Sequence, residues 1–281
     1  MKTGLVLEGG GMRGVFTAGV LDAFLDYEVE FDYVIGASAG AAIGINYFSG
    51  QRGRSRYIDL DMHRIHPYIG LKGLFNGHGV IDLDFVFNDL PKTYYPFDFE
   101  RYQEATRGRR MIMVATDAVT GEAAYLEEYE DFGRFADACR ASCSLPLFCP
   151  LWKVDGRPMA DGGLADSVPF KKAFADGCDR LVVVMTKDET YRKCEHRMWL
   201  PSAVYSDFPK VRELLCRRGP DYNKQIEELR QAEKEGNVIV VRPSQLFGVG
   251  RTTTDANLLE LLYADGLRAG RDVVKALAQG A

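Results

Sequence analysis

Ser38 stands in the run Gly36-Ala37-Ser38-Ala39-Gly40, with apolar Phe31-Asp32-Tyr33-Val34-Ile35 before it and small, apolar Ala41-Ala42-Ile43-Gly44-Ile45 after it. A strand, a sharp turn and a helix are expected in that order. A serine between nearly side-chain-free residues at such a turn is the pattern of a nucleophile elbow. The turn lifts the hydroxyl off the carboxyl edge of a sheet, and the helix that follows aims its free N–H groups at the reacting centre.

A second turn rich in glycine comes one strand earlier, Gly9-Gly10-Gly11-Met12-Arg13-Gly14. Its spacing satisfies G-x-G-x-x-G, and Glu28 and Glu30 fall near the place of a ribose-binding carboxylate, so a dinucleotide site is one use of it. The other use is an oxyanion hole, because backbone donors at a helix N-terminus hold a developing oxyanion as readily as a phosphate. The second use gives both turns a task, whereas a dinucleotide site leaves Ser38 without one. Arg13 either orients the loop or meets a phosphate, and orientation is the preferred role.

A serine nucleophile needs a proton acceptor. The histidines are His63, His66, His78 and His196. Three of them lie in an early irregular stretch, the fourth sits in a charged run, and none follows the last apolar strand. A Ser-His-Asp triad therefore does not fit. Asp161, in Met159-Ala160-Asp161-Gly162-Gly163, is the better candidate for the base, since the glycines after it let another backbone approach. His63 and His66 lack a third ligand at a metal-binding spacing, so no metal is expected.

The elements around these residues alternate. Strands are expected at 4–7, 31–35, 110–116, 122–126, 180–185 and 238–241, with a hairpin from 152 towards 159. Helices are expected at 15–26, 39–49, 132–141, 221–235 and 254–278, the last weakened by Gly266 and Gly270. Such alternation predicts an α/β fold with a mainly parallel sheet. Segments 52–92 and 188–220 break the pattern and read as lids or insertions on one domain spanning 1–281. The second of them carries more Lys and Arg than Asp and Glu, together with Met198-Trp199-Leu200, a composition suited to transient contact with an anionic membrane surface or to an ordinary solvated lid.

At 281 residues and 46% hydrophobic the chain has material for a sizeable core, and a net charge of −5 argues against a general nucleic-acid binder. Six cysteines at 139, 143, 149, 178, 194 and 216 show no paired spacing and read as buried free thiols. No leader or membrane span is visible, so a cytoplasmic protein is expected, with peripheral contact at the inner membrane surface as an option. Oligomeric state is not legible.

The three elements in order, the glycine loop 9–14, the serine turn 36–40 and Asp161-Gly162-Gly163, together with Ala141-Ser142-Cys143-Ser144-Leu145-Pro146-Leu147-Phe148-Cys149-Pro150, resemble the patatin-like phospholipase family, in a bacterial form, over roughly residues 4 to 185. The resemblance implies a three-layer α/β/α fold and a Ser-Asp dyad that hydrolyses acyl esters of phospholipids or lysophospholipids without a cofactor. By motif, Ser38 is the nucleophile, Asp161 the base, Gly36 and Gly40 frame the elbow, Gly162 and Gly163 follow the base, and the N–H groups around Gly10 to Met12 form the oxyanion hole. One departure is Glu8, where the family commonly has aspartate. An acyltransferase or general carboxylesterase of the same fold, or a non-catalytic lipid-binding protein, are the alternatives.

Overall fold

The computed structural model describes residues 2–70, 77 and 79–279; His78 and part of the 52–92 segment lie outside the described residues. Eight strands form one mixed sheet: β1 (Thr3–Leu7), β2 (Tyr33–Ala37), β3 (Arg110–Asp117), β4 (Ala123–Leu126), β5 (Trp152–Val154), β6 (Arg157–Asp161), β7 (Arg180–Val184) and β8 (Val238–Val241). The pairing order is β5-β6-β3-β2-β1-β7-β8, with β4 also on β3. The run β3-β2-β1-β7-β8 is parallel, while β4 and β6 pair with β3 in the antiparallel sense. The parallel strands β1, β2 and β7 are buried almost end to end, as expected when helices cover both faces.

Alternation along each strand assigns the two faces. Leu5, Leu7, Val34, Met111, Met113, Val182 and Val184 share a core with α1 (Val15–Asp26), α2 (Ala39–Phe48), the short α3 (Phe99–Ala105) and α4 (Phe132–Cys143). Val6, Ile35, Ile112, Val114, Leu181 and Val183 pack the other way, against α5 (Phe170–Ala175) and α6 (Pro209–Lys234). The result is the α/β/α layering expected above.

The last helix, α7 (Ala256–Gln279), runs unbroken and joins the first core through Leu259, Leu262, Tyr263 and Val273. Gly266 and Gly270 do not weaken it, contrary to the expectation from sequence. A Cβ on Gly266 would lie 2.1 Å from the Phe16 carbonyl oxygen, and one on Gly19 of α1 would lie 2.2 Å from the Tyr263 carbonyl oxygen. These glycines let two helices touch backbone to backbone.

The helix expected at 221–235 begins twelve residues earlier, at Pro209, and carries Pro220 in its interior. A proline has no N–H for the carbonyl four residues before it. Here the Met198 N–H donates to that carbonyl, Cys216 O, at 2.8 Å. The interruption thereby becomes an anchor for the irregular chain that precedes α6. All six cysteines are free thiols; Cys139, Cys149 and Cys178 are buried, but Cys194 is exposed, so burial does not hold for every one.

Candidate active site

β3 acts as the ruler of the site. Its residues Arg110 to Val114 pair with β2, ending at Ala37 opposite Val114; its next residue, Ala115, pairs with Asp161 on β6. Ser38, one residue past Ala37, and Asp161 are therefore brought to neighbouring positions along one strand, although they lie 123 positions apart in sequence.

Ser38 has φ 53° and ψ −127°, a backbone state that a non-glycine residue occupies only when its surroundings impose it. Those surroundings are visible. A Cβ on Gly40 would lie 2.5 Å from the Leu7 carbonyl oxygen, and one on Gly36 would meet the Gly40 backbone at 2.7 Å, so both positions admit only glycine in this turn. The Ser38 N–H donates to Ser142 Oγ at 3.0 Å, and that hydroxyl donates onward to the Val114 carbonyl at 2.6 Å. Ser142, at the end of α4, thus latches the elbow to β3. Sequence reasoning quoted it within a family-like stretch without giving it a role; its place among small residues before Asp161 was the available signal.

Asp161 is buried. Its Oδ1 accepts from the Gly163 N–H at 2.7 Å, its N–H donates to the Ser144 carbonyl at 2.8 Å, and its carbonyl accepts from Thr116 Oγ1 at 2.9 Å. These bonds fix the carboxyl group's orientation, and Oδ2 carries no protein partner among the described residues. The two side chains are not hydrogen-bonded to each other. Ser38 instead meets the Cys143 thiol, whose pKa burial pushes far up, helped by the nearby Asp161 charge and opposed by the bond to Ser38. Gly162 passes β3 so closely that a Cβ would sit 2.1 Å from the Val114 carbonyl oxygen.

The glycine loop lies directly beside the elbow, with the Cβ of Ser38 only 3.0 Å from where a side chain on Gly9 would begin. Gly10 packs on Thr186, Gly11 (φ 58°) on Arg251, and Gly14 between Ile43 and Ala39. The Met12 N–H, expected among the free donors, already donates to the Arg251 carbonyl at 3.0 Å. The Gly10 and Gly11 N–H groups have no protein partner among the described residues. Arg13 donates to the Val249 carbonyl at 3.1 Å and lies over the Tyr191 ring, which ties the loop to the chains that follow β8 and β7. The carboxylates Glu28 and Glu30 follow α1 and precede β2, whereas a ribose-binding carboxylate belongs at the carboxyl end of that strand, where Ser38 stands.

Beneath the loop, Glu8 is buried and accepts from Tyr222 Oη at 2.7 Å, from the Thr186 N–H at 2.7 Å and from Thr186 Oγ1 at 2.9 Å; it also pairs with the buried Lys187 ammonium. Burial works against its charge, but Lys187 and these donors outweigh it and hold the carboxyl below its ordinary range. None of this clamp was read from sequence.

One cleft collects Ser38, Asp161 and the glycine loop. One wall is apolar, with Ile43, Leu83, Val86, Phe87, Phe97 and Phe135, of which Val86 and Phe87 come from the helical stretch Phe85–Tyr94 in the 52–92 segment. Asp59 lies on this wall, where burial raises its carboxyl to about 7 against a bond from Tyr68. Arg54, lowered to about 10 by burial, is held by Asn46 Oδ1 at 2.8 Å and the Tyr95 carbonyl at 3.0 Å. Opposite, the wall is cationic, with Arg13, Lys193, Arg218 and Arg251. The histidines among the described residues do not join the site: His66 stacks on Phe85 with ring centroids 3.8 Å apart, His63 meets Tyr68 edge-on, and His196 is exposed. Among the described residues no helix is long and apolar enough to cross a membrane.

Comparison with known proteins gives this arrangement a family. The chain is 29% identical to the uncharacterised protein YjjU of Escherichia coli over 188 residues, 66% of this chain and 52% of that one. It is 27% identical to lysophospholipase NTE1 of Saccharomyces cerevisiae over 98% of this chain but 16% of that one, and 25% identical to the uncharacterised NTE family protein Rv1063c of Mycobacterium tuberculosis over 65% of this chain and 48% of that one. It therefore spans about half the length, or less, of these relatives. The crystal structure of VipD from Legionella pneumophila aligns with a TM-score of 0.49 at 14% identity, covering 98% of this chain and 67% of that one. Residues 208–280 match a domain of unknown function. Residues 5–174 match the family described as patatin-like phospholipase, and the chain belongs to that family.

Proposed function

We propose that the protein is a serine acyl hydrolase that cleaves fatty-acyl ester bonds of phospholipids or lysophospholipids through Ser38 and Asp161. The observation that carries this reading is the β3 register, which puts a strained serine and an oriented aspartate side by side in a cleft with one apolar wall. Ser38 Oγ attacks the ester carbonyl carbon while Asp161 takes its proton. The carbonyl oxygen becomes an oxyanion that accepts from the Gly10 and Gly11 N–H groups, where one such donor is worth about 3 kcal/mol. The tetrahedral centre collapses, the C–O bond to the alcohol breaks, and Asp161 returns the proton to the leaving oxygen. A water molecule, deprotonated by Asp161, then attacks the acyl-enzyme, and the fatty acid departs as Ser38 regains its proton. The apolar wall suits an acyl chain. Exposed Trp199 (81% accessible) and Met198 support transient contact with a membrane surface.

Ser38→Ala is expected to abolish both labelling by a fluorophosphonate probe and turnover of p-nitrophenyl esters. Asp161→Asn, which keeps the shape, is expected to lower kcat by at least about a hundredfold. Undiminished ester turnover by Ser38→Ala overturns the proposal.

A further inference from the structure

Three of the four cations on the cleft's cationic wall come from parts outside the matched 5–174 segment. Lys193 belongs to the irregular chain before α6, Arg218 to α6 and Arg251 to the loop before α7. Each is held in place by its backbone. The Lys193 N–H donates to Asn223 Oδ1 at 2.9 Å and its carbonyl accepts from Asn223 Nδ2 at 2.9 Å, a two-way clamp from α6. Its ammonium is drawn over the Tyr222 ring, 3.8 Å from the centroid. Arg218 sits two residues before Pro220, in the turn that the Met198–Cys216 bond secures, and its guanidinium comes within 3.6 Å of where a side chain on Gly163 would begin, beside Asp161. Arg251 packs its stem on Gly11 and gives its carbonyl to Met12.

None of the three makes an ion pair among the described residues, and Arg218 Nε is buried with no hydrogen-bond partner. Lys193 feels the charges of Arg218 and Arg251, and Arg251 feels that of Arg218. Burial lowers the pKa of Lys193, with Arg218, Lys187 and Arg251 adding repulsion; burial likewise lowers Arg251, with Arg218 and Arg13 adding to it and Asp161 opposing. Of the carboxylates lining the cleft, Glu8 is taken by Lys187, Asp161 stands between the serine turn and the glycines that follow it, and Asp59 lies on the apolar wall bonded to Tyr68. Three unpaired cations facing one cleft repel one another unless an anion joins them. Two guanidiniums and an ammonium offer the fork-shaped and point donors that phosphate oxygens accept.

We propose that Lys193, Arg218 and Arg251 form a phosphate-monoester subsite beside Ser38, so that the preferred substrate is an acyl ester whose alcohol carries a terminal phosphate, and that the segment of unknown function at 208–280 contributes to this selectivity. The subsite rests on the acyl-hydrolase reading for its substrate but not for its binding. A phosphate monoester carries close to two negative charges at neutral pH, whereas a phosphodiester carries one and a choline headgroup cancels even that. Three cations complement the first best.

The test compares three esters with the same chain on the full-length protein: monooleoylglycerol phosphate, lysophosphatidylcholine and monooleoylglycerol. The expected kcat/KM is at least about tenfold higher for the phosphate monoester than for either other ester, the ratio that one charge-assisted hydrogen bond supplies. Arg218→Gln and Arg251→Gln are each expected to collapse this ratio, mainly by raising KM, while Lys153→Gln, an exposed lysine away from the cleft, leaves it intact. A second arm titrates Ser38→Ala protein by calorimetry with inorganic phosphate and with monooleoylglycerol phosphate. Binding of monooleoylglycerol phosphate that Arg218→Gln abolishes supports the subsite even where no ester is turned over, which separates its fate from that of the hydrolase reading. Inorganic phosphate that binds as tightly as the lipid assigns the site to the free anion and overturns a headgroup role. Equal rates on all three esters, with no binding of either probe, overturn the subsite altogether.

Discussion

The Glu8 carboxylate meets Lys187, Tyr222 and Thr186 together beneath the glycine loop. A buried pair loses about 3–5 kcal/mol when one partner is removed, because the other charge is left unmatched. Glu8→Gln is expected to destabilise the protein by that amount at pH 7, read by urea unfolding. The pH dependence has a definite sign. The carboxyl is held below its ordinary value of 4.5, so its contribution is complete above that pH and is lost as pH falls through the lower folded value. The gap between wild type and Glu8→Gln should therefore narrow in acid; a gap that stays constant would remove the charge pair from the explanation. The turns at Ser38 and Asp161 and the glycine loop were legible because each is local in sequence, a turn residue and its small neighbours. The Glu8 clamp was not, because its partners lie 178 to 214 positions away and nothing in the spacing links them.

At the scale of elements, what the sequence hid is again a matter of facing surfaces. Strand positions were readable from apolar runs, and most lie within two residues of expectation. A glycine inside a helix ordinarily costs about 1 kcal/mol against alanine, which is why Gly266 and Gly270 read as weaknesses. The cost is offset where another backbone occupies the space, and only the packed structure reveals that neighbour. Gly266→Ala is expected to lower stability by about 1–3 kcal/mol, against the usual gain for a helical glycine-to-alanine change, since its methyl group would enter the Phe16 carbonyl. A raised melting temperature would show that α1 and α7 have room to separate. Pro220 follows the same logic: its missing N–H reads as a break, yet the Cys216 carbonyl it leaves free is the one that fixes Met198 and the chain leading to Lys193.

For the whole molecule, the question is whether residues 208–280, matched separately from 5–174, are an appendage. Their packing says otherwise. β8 extends the sheet beside β7, α7 lies on α1 through mutual glycine contacts, and Leu259 and Leu262 are fully buried in the core that also holds Phe16 and Phe24. The loop between β8 and α7 meets the glycine loop through Val249 and Arg251. Removal after residue 207 would expose the apolar stripe of α1, open the β7 edge and release Met12 and Arg13 at once, and exposed edges and apolar faces of that kind associate. The chain cut after residue 207 is expected to be insoluble, or soluble but without a cooperative thermal transition and without fluorophosphonate labelling at Ser38. A cut chain that melts cooperatively and labels at the wild-type rate would show that the serine turn, its aspartate and their cleft assemble without the C-terminal segment, and would confine that segment's role to the cationic wall.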